Sequence, residues 1–223
     1  VGKSSVINRL LNRKNFARVG AAPGKTTQIR LLTDYLQARG IDVLATKEPG
    51  GTEVGKELRR ILCTGDKDKM DAVAEALLYY ADRRGHMQSK GLPALNEGRW
   101  VISDRFADST MAYQYYGYDK RVPKETLEQL YAMTVGDFHP DLTVILDIDP
   151  QKGLARSLKR NGSAAEQEIR FESRELAFHE NLRRGFLEIA ESAPRYAVLD
   201  ADKSVDELHR EIVKITEERL MHK

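Results

Sequence analysis

Two periods of hydrophobicity alternate along this chain. Short, nearly unbroken apolar runs lie at Ile41–Thr46, Trp100–Ser103, Leu142–Ile148 and Tyr196–Asp200. Between them run longer stretches whose apolar positions recur every three or four residues. Unbroken runs of that length suit strands covered on both faces, and the longer spacing suits the helices that cover them. The pattern predicts helices over residues 27–39, Glu53–Leu62, Ala72–Leu95, Ser109–Tyr115, Lys124–Thr134, Gln151–Lys159, Arg174–Ser192 and Val205–Met221. Phe16-Ala17-Arg18-Val19 reads as a poor central strand, because Arg18 interrupts a run that would be buried on both faces. Strands alternating with helices predict a three-layer α/β fold, a doubly wound parallel sheet with helices on both faces. Its ligand site is expected beyond the carboxyl ends of the strands.

Composition narrows the class. With 223 residues, 41% hydrophobic and 31% charged, the chain can build one α/β domain with a full core. A net charge of +2 gives no basic field, so a nucleic-acid partner is not expected. No apolar run approaches the ~20 residues of a membrane span, and a signal-peptide core is lacking at the N-terminus. A single cysteine, Cys63, excludes internal disulfides and multi-cysteine zinc sites. These features predict a cytoplasmic protein. The chain opens on Val1 rather than Met, as a piece of a longer chain would.

Candidate chemistry begins at Gly20-Ala21-Ala22-Pro23-Gly24-Lys25-Thr26-Thr27, which leads into an amphipathic helix. Gly-Lys-Thr before a helix is the end of a P-loop. Backbone N–H groups and the helix N-terminus hold a polyphosphate, the lysine neutralises it, and the threonine hydroxyl can ligate Mg²⁺. The first glycine of the full pattern falls on Val19, with Gly20 one place late. Gly2-Lys3-Ser4-Ser5 is a second such ending, with no upstream strand.

Four further stretches come after strands or border loops. Glu48-Pro49-Gly50-Gly51-Thr52 offers a charge and close backbone approach to a ligand, or simply a capped turn. Tyr79 and Arg83 are four apart on one helix face, which suits a planar base but also core packing with an ion pair. Asp104-Arg105 comes directly after a strand, where an arginine can grip a phosphate bidentately and an aspartate can orient it or reach the metal shell. Arg156, Lys159, Arg160 and Arg170 flank the polar segment Asn161–Glu168, either a lid over a phosphate or a solvated basic face. Asp82-Arg83-Arg84-Gly85 fits a loose D-x-x-G pattern inside a helical segment and matches by chance.

Taken together, "GKTTQIRLL", "EPGGT", "LLYYADR", "WVISDRF", "DSTMAYQ", "PDLTVILDIDP", "GLAR" and "RFE" with "AFHE" resemble thymidylate kinase, from about Gly24 to the C-terminus. The resemblance implies a P-loop NTPase-like fold with a lid over about residues 156–172, transferring a phosphoryl group from ATP to dTMP. It implies that Gly20, Gly24, Lys25, Thr26 and Thr27 hold ATP, with Thr26 and Asp104 at Mg²⁺. Glu48, Pro49 and Gly50 would border dTMP, Tyr79 would stack on thymine, and Arg83 would meet the base edge. Arg105 would take the acceptor phosphate, supported by Asp104, while Thr110, Tyr113 and Gln114 would line the base and sugar pocket. Lys25, Arg105, Asp104 and the lid residues Arg156, Arg160 and Arg170 would carry catalysis. Since Ala21, Ala22 and Pro23 supply no arginine, the chain looks like the lid-arginine class. The family also implies a homodimer through the helix carrying Leu77–His86.

Residues 1–26 resemble a fragment of an EngB-type ribosome-assembly GTPase. The expected division is a GTPase-like segment, residues 1–23, joined to a nucleoside monophosphate kinase domain, 24–223. Val19 stands for the first P-loop glycine, Ala21 for an acidic residue and Ile169 for an aspartate before "RFE". Three readings are open: a working kinase, a GTP-binding protein without the guanine-reading Asn-Lys-x-Asp, and a nucleotide-binding protein reduced to holding dTMP.

Overall fold

The computed structural model describes residues 15–19, 25–66, 68–160 and 174–221. Five parallel strands form one sheet: β1 (Asn15–Val19), β2 (Val43–Thr46), β3 (Trp100–Ser103), β4 (Leu142–Asp147) and β5 (Tyr196–Asp200), in the order β2-β3-β1-β4-β5. The weak run at Phe16–Val19 is thus the central strand. It pairs with β3 through Phe16 and Ile102 and with β4 through Val19 and Ile145. Strand pairing runs through backbone groups that every residue but proline carries, so one arginine in the run does not prevent it.

Period-two alternation in β4 divides the core. Leu142, Val144, Leu146 and Ile148 face one side, against Ile29, Leu32 and Leu36 of α1 (Lys25–Ala38) and Leu208 and Ile212 of α9 (Val205–Thr216). Ile145 faces the other, with Ala76 and Tyr80 of α3 (Ala72–His86), Leu127 of α6 (Lys124–Thr134) and Phe178, Leu182 and Phe186 of α8 (Leu176–Ala190). Each such aliphatic side chain contributes about 1.5–3 kcal/mol relative to exposure. Helix starts are set by capping chemistry: Thr52 caps α2 (Glu53–Cys63), Asp71 caps α3, and Ser204 with Glu207 forms a capping box on α9.

The long helical stretch predicted over Ala72–Leu95 is interrupted. After α3 comes a wide π-type turn, Met87–Gly91, and then α4 (Leu92–Asn96). A second wide turn, Met111–Gly117, comes after α5 (Ala107–Thr110). Such turns shift the helical register and are frequent at functional sites. The last helix similarly ends in a wide turn at Glu217–Met221, and α7 (Pro150–Arg160) begins one residue before its expected start.

Glycines let α8 approach the second wide turn. A Cβ on Gly185 would stand 2.3 Å from Tyr116 Cγ, and one on Gly117 would stand 2.7 Å from Phe178 Cε2. Gly185→Ala is therefore expected to destabilise the fold by about 1–3 kcal/mol through overpacking, visible as a lower melting temperature. An unchanged melt would contradict this close approach.

Candidate active site

The carboxyl ends of β2, β3 and β1 lie side by side, with Thr46 and Ala17 each in register with Ser103. The residues just past β2 and β3 join α3 in one connected cluster. Glu48, two residues past β2, is buried; its backbone N–H donates to Asp104 Oδ1 at 2.8 Å, tying the loop after β2 to the residue after β3. Its carboxylate accepts from Arg83 Nε at 2.9 Å and lies 2.8 Å from His86 Nδ1. Arg83 also donates to Thr110 Oγ1 at 3.1 Å and packs over the Tyr80 and Phe106 rings. At 2% exposure, its pair with Glu48 is a buried one rather than the surface pair that the helical spacing left open.

Arg105 occupies the next position. Its guanidinium lies 5.2 Å from the centre of the Tyr113 ring. Burial alone would lower its pKa, but Tyr113, Asp104 and Tyr79 outweigh burial and hold the charge firmly in place. Burial, with Cys63 and Tyr113 nearby, pushes the Tyr79 phenol well above its ordinary value, so the ring stays neutral. Arg105 thus lies over the Tyr113 ring, with Tyr79 near enough for each to shift the other's titration. Gln114 Nε2 donates to Glu75 Oε2 at 3.0 Å.

The loop after β2 is closed from the other side. Gly50 N–H donates to Asp82 Oδ1 at 3.1 Å, and the Glu48–Pro49 peptide is cis. Burial raises the Asp82 pKa, partly offset by that N–H. Arg59 of α2 reaches back to donate to the Pro49 carbonyl at 3.1 Å. His86 touches Glu48 through Nδ1 and lies 2.7 Å from Thr46 Oγ1 through Nε2. Sequence reasoning missed Asp82, His86 and Arg59. The signal was present, since Tyr79, Asp82, Arg83 and His86 recur at helical spacing along one side of α3. A Cβ on Gly51 would stand 2.5 Å from His86 Cδ2 and 2.7 Å from the Lys47 carbonyl, so Gly51→Ala must displace this loop. The expected outcome is a raised acceptor KM; an unaltered KM would separate the loop from substrate.

Other expected residues are placed differently. Lys25, Thr26 and Thr27 form the first turn of α1, which comes after the central strand; Thr26 is exposed there. Arg156 is bonded to the Ala201 carbonyl and to Asp202 past β5, so the structure does not bring it to the cluster. Gly20, Gly24, Ala21, Arg170 and the second Gly-Lys-Ser lie outside the described residues, as does most of the expected lid. Asp82-Arg83-Arg84-Gly85 lies within α3, consistent with a chance match.

The donor chemistry fits Mg²⁺. Asp104 has one oxygen on the Glu48 N–H, and its other oxygen accepts nothing among the described residues. A carboxylate and the Thr26 hydroxyl are hard oxygen donors, and Mg²⁺ commonly takes only one or two protein ligands beside phosphates and water. No cluster of three or more His, Cys, Asp or Glu ligands occurs among the described residues.

Comparison with known proteins gives this arrangement its context. The family profile for thymidylate kinase matches residues 22–212. Thymidylate kinase of Magnetococcus marinus is 46% identical over 187 residues, covering 83% of this chain and 86% of that protein. That of Maridesulfovibrio salexigens is 42% identical over 200 residues, covering 88% and 91%. The crystal structure of thymidylate kinase from Ehrlichia chaffeensis superposes with a TM-score of 0.71 at 30% identity, covering 92% of this chain and 98% of that one. Sequence and fold agree over the same span, and the chain belongs to the thymidylate kinase family.

Proposed function

We propose that this chain seats dTMP in the Glu48–Gln114 cluster and transfers the γ-phosphoryl group of ATP to it, giving dTDP and ADP. The observation that carries the reading is Arg105, whose guanidinium lies 5.2 Å from the centre of the Tyr113 ring and stays charged there despite burial. Tyr79 stacks on the pyrimidine, Arg83 and Gln114 meet its edge, and Thr110 and Tyr113 close the pocket. Arg105 grips the acceptor phosphate, with Asp104 and the Glu48–Gly50 turn as its frame. The α1 N-terminus, with Lys25, Thr26, Thr27 and the loop glycines Gly20 and Gly24, holds the ATP phosphates.

An acceptor-phosphate oxygen attacks the γ-phosphorus in line as the bond to the β–γ bridging oxygen breaks, and the electron pair leaves on ADP. The chain contributes alignment and charge rather than covalent chemistry. Thr26 and Asp104 would hold Mg²⁺, which would neutralise charge on the phosphate oxygens. Arg160 and Arg170 supply lid charge, while Arg156 is committed to Asp202 in this conformation. A coupled ADP-release assay tests the reading: release should depend on dTMP and be far weaker with dCMP or no acceptor. Release indifferent to dTMP, or dTMP binding without turnover, would overturn it.

The same reading includes a homodimer and a cytoplasmic setting. Val54 and Ile61 of α2 and Val73 and Leu77 of α3 are exposed, Val54 at 72% and Leu77 at 50%, on helices that pack together. Spacings of seven and four place each pair on one helix face. Leu77→Arg is expected to halve the mass seen by sedimentation, whereas an unchanged dimer would place the interface elsewhere. No helix of the described residues is long and apolar enough to cross a membrane.

A further inference from the structure

We infer that Glu75 sets which pyrimidine this enzyme accepts, by fixing the orientation of the Gln114 amide. This rests on the reading that Gln114 meets the edge of the base. Glu75 lies on α3, one turn before Tyr79, and is fully buried, as is Gln114. The Glu75 carboxylate accepts from Gln114 Nε2 at 3.0 Å and from the Tyr118 hydroxyl at 2.8 Å. A carboxylate has only acceptors, so the amide must turn its NH₂ toward it and its oxygen away.

That oxygen, Gln114 Oε1, is buried and has no hydrogen-bond partner among the described residues. An acceptor left unmet in the interior is costly, and native structures seldom leave one without cause. A bound base with a ring N–H supplies the missing donor. Thymine and uracil carry hydrogen on N3, whereas cytosine presents a lone pair there. Cytosine would face Oε1 with acceptor against acceptor, and the amide cannot flip to accommodate it while Glu75 holds the NH₂. Glu75 is thus a positioning residue: it acts on the base only through Gln114.

The test is the ratio of kcat/KM for dTMP to that for dCMP. In Glu75→Gln the new side-chain amide can donate to Gln114 Oε1, releasing Gln114 to turn its own NH₂ toward the base. The ratio should fall at least about tenfold, as expected when a buried polar match is lost. The exchange Glu75→Gln with Gln114→Glu restores one donor–acceptor pair between the positions and again offers the base an oxygen. Its ratio should return to within about threefold of the starting enzyme, a rescue that loss of fold alone cannot produce. Tyr118→Phe, which removes a bond to Glu75 while leaving the Gln114 contact in place, should leave the ratio unchanged.

Gln114→Met separates the base contact from the role of Glu75. If it leaves the dTMP KM unaltered, Gln114 does not meet the base and the underlying reading fails. If it raises KM while Glu75→Gln keeps the ratio, the base contact stands and the role of Glu75 is overturned. Should Glu75→Gln not fold, Glu75→Asp decides, since its shorter carboxylate loses the 3.0 Å hold on the Gln114 NH₂: a ratio lowered several-fold supports the inference, and an unchanged ratio refutes it.

Discussion

Arg105→Met is expected to lower kcat/KM for dTMP by about 10²- to 10³-fold, with the KM for ATP changed little. The guanidinium lies over the Tyr113 ring, and the influence of Tyr113, Asp104 and Tyr79 outweighs burial, so the charge persists. A fixed cation in a partly dry cleft meets a phosphate more strongly than a surface one, and truncating such a pair typically costs 2–5 kcal/mol. Arg105→Lys should recover little, because an ammonium lacks the planar fork that meets two phosphate oxygens and packs against a ring. Steady-state kinetics with each substrate varied in turn measures both effects. A dTMP efficiency within about threefold of the parent would remove Arg105 from the acceptor site.

Glu48→Ala should be the most destabilising single change in the cluster. It strands Arg83, which is 2% exposed, and removes the partner of His86 Nδ1. Breaking one side of a buried ion pair costs about 3–5 kcal/mol, since the remaining charge is left uncompensated. For a domain of this size each kcal/mol shifts the melting temperature by about 2–4 °C, so a fall of roughly 6–20 °C is expected. Replacing both partners, Glu48→Met with Arg83→Met, should recover much of that loss in a thermal melt while abolishing dTMP affinity. A single variant that melts within about 2 °C of the parent would mean that the pair is solvated and that Arg83 is free to move.

The fold was largely legible because the parallel strands β3 and β4 are continuous apolar runs, and their helices carry clear three-to-four spacing. The central strand was the exception. Its run is short and carries Arg18, and pattern reading weighs side chains while the ladder is made by backbone. The wide turns at Met87–Gly91 and Met111–Gly117 were illegible for a related reason: a local shift of hydrogen-bond register leaves no mark on apolar spacing. In the site, Glu48, Asp104 and Arg105 were legible from their place just after strands. Asp82 stands in "LLYYADR" and at helical spacing from Tyr79 and His86, but that it accepts the Gly50 N–H is a contact across 32 positions. Glu75 and His86 look like ordinary helix residues, because their importance lies in whom they touch across 39 and 38 positions of sequence. Arg156 went the other way: its charge suggested a lid, and its partner is Asp202.

One cluster is proposed to seat both ends of dTMP, base and phosphate. A crystal structure of the complex with dTMP and a non-hydrolysable ATP analogue tests this most directly. Thymine is expected against the Tyr79 ring, its edge toward Arg83 and Gln114, and its phosphate within about 3 Å of the Arg105 guanidinium, the reach of a charge-assisted hydrogen bond. Density for dTMP elsewhere, with Tyr79, Arg83 and Arg105 turned away from it, would contradict that placement.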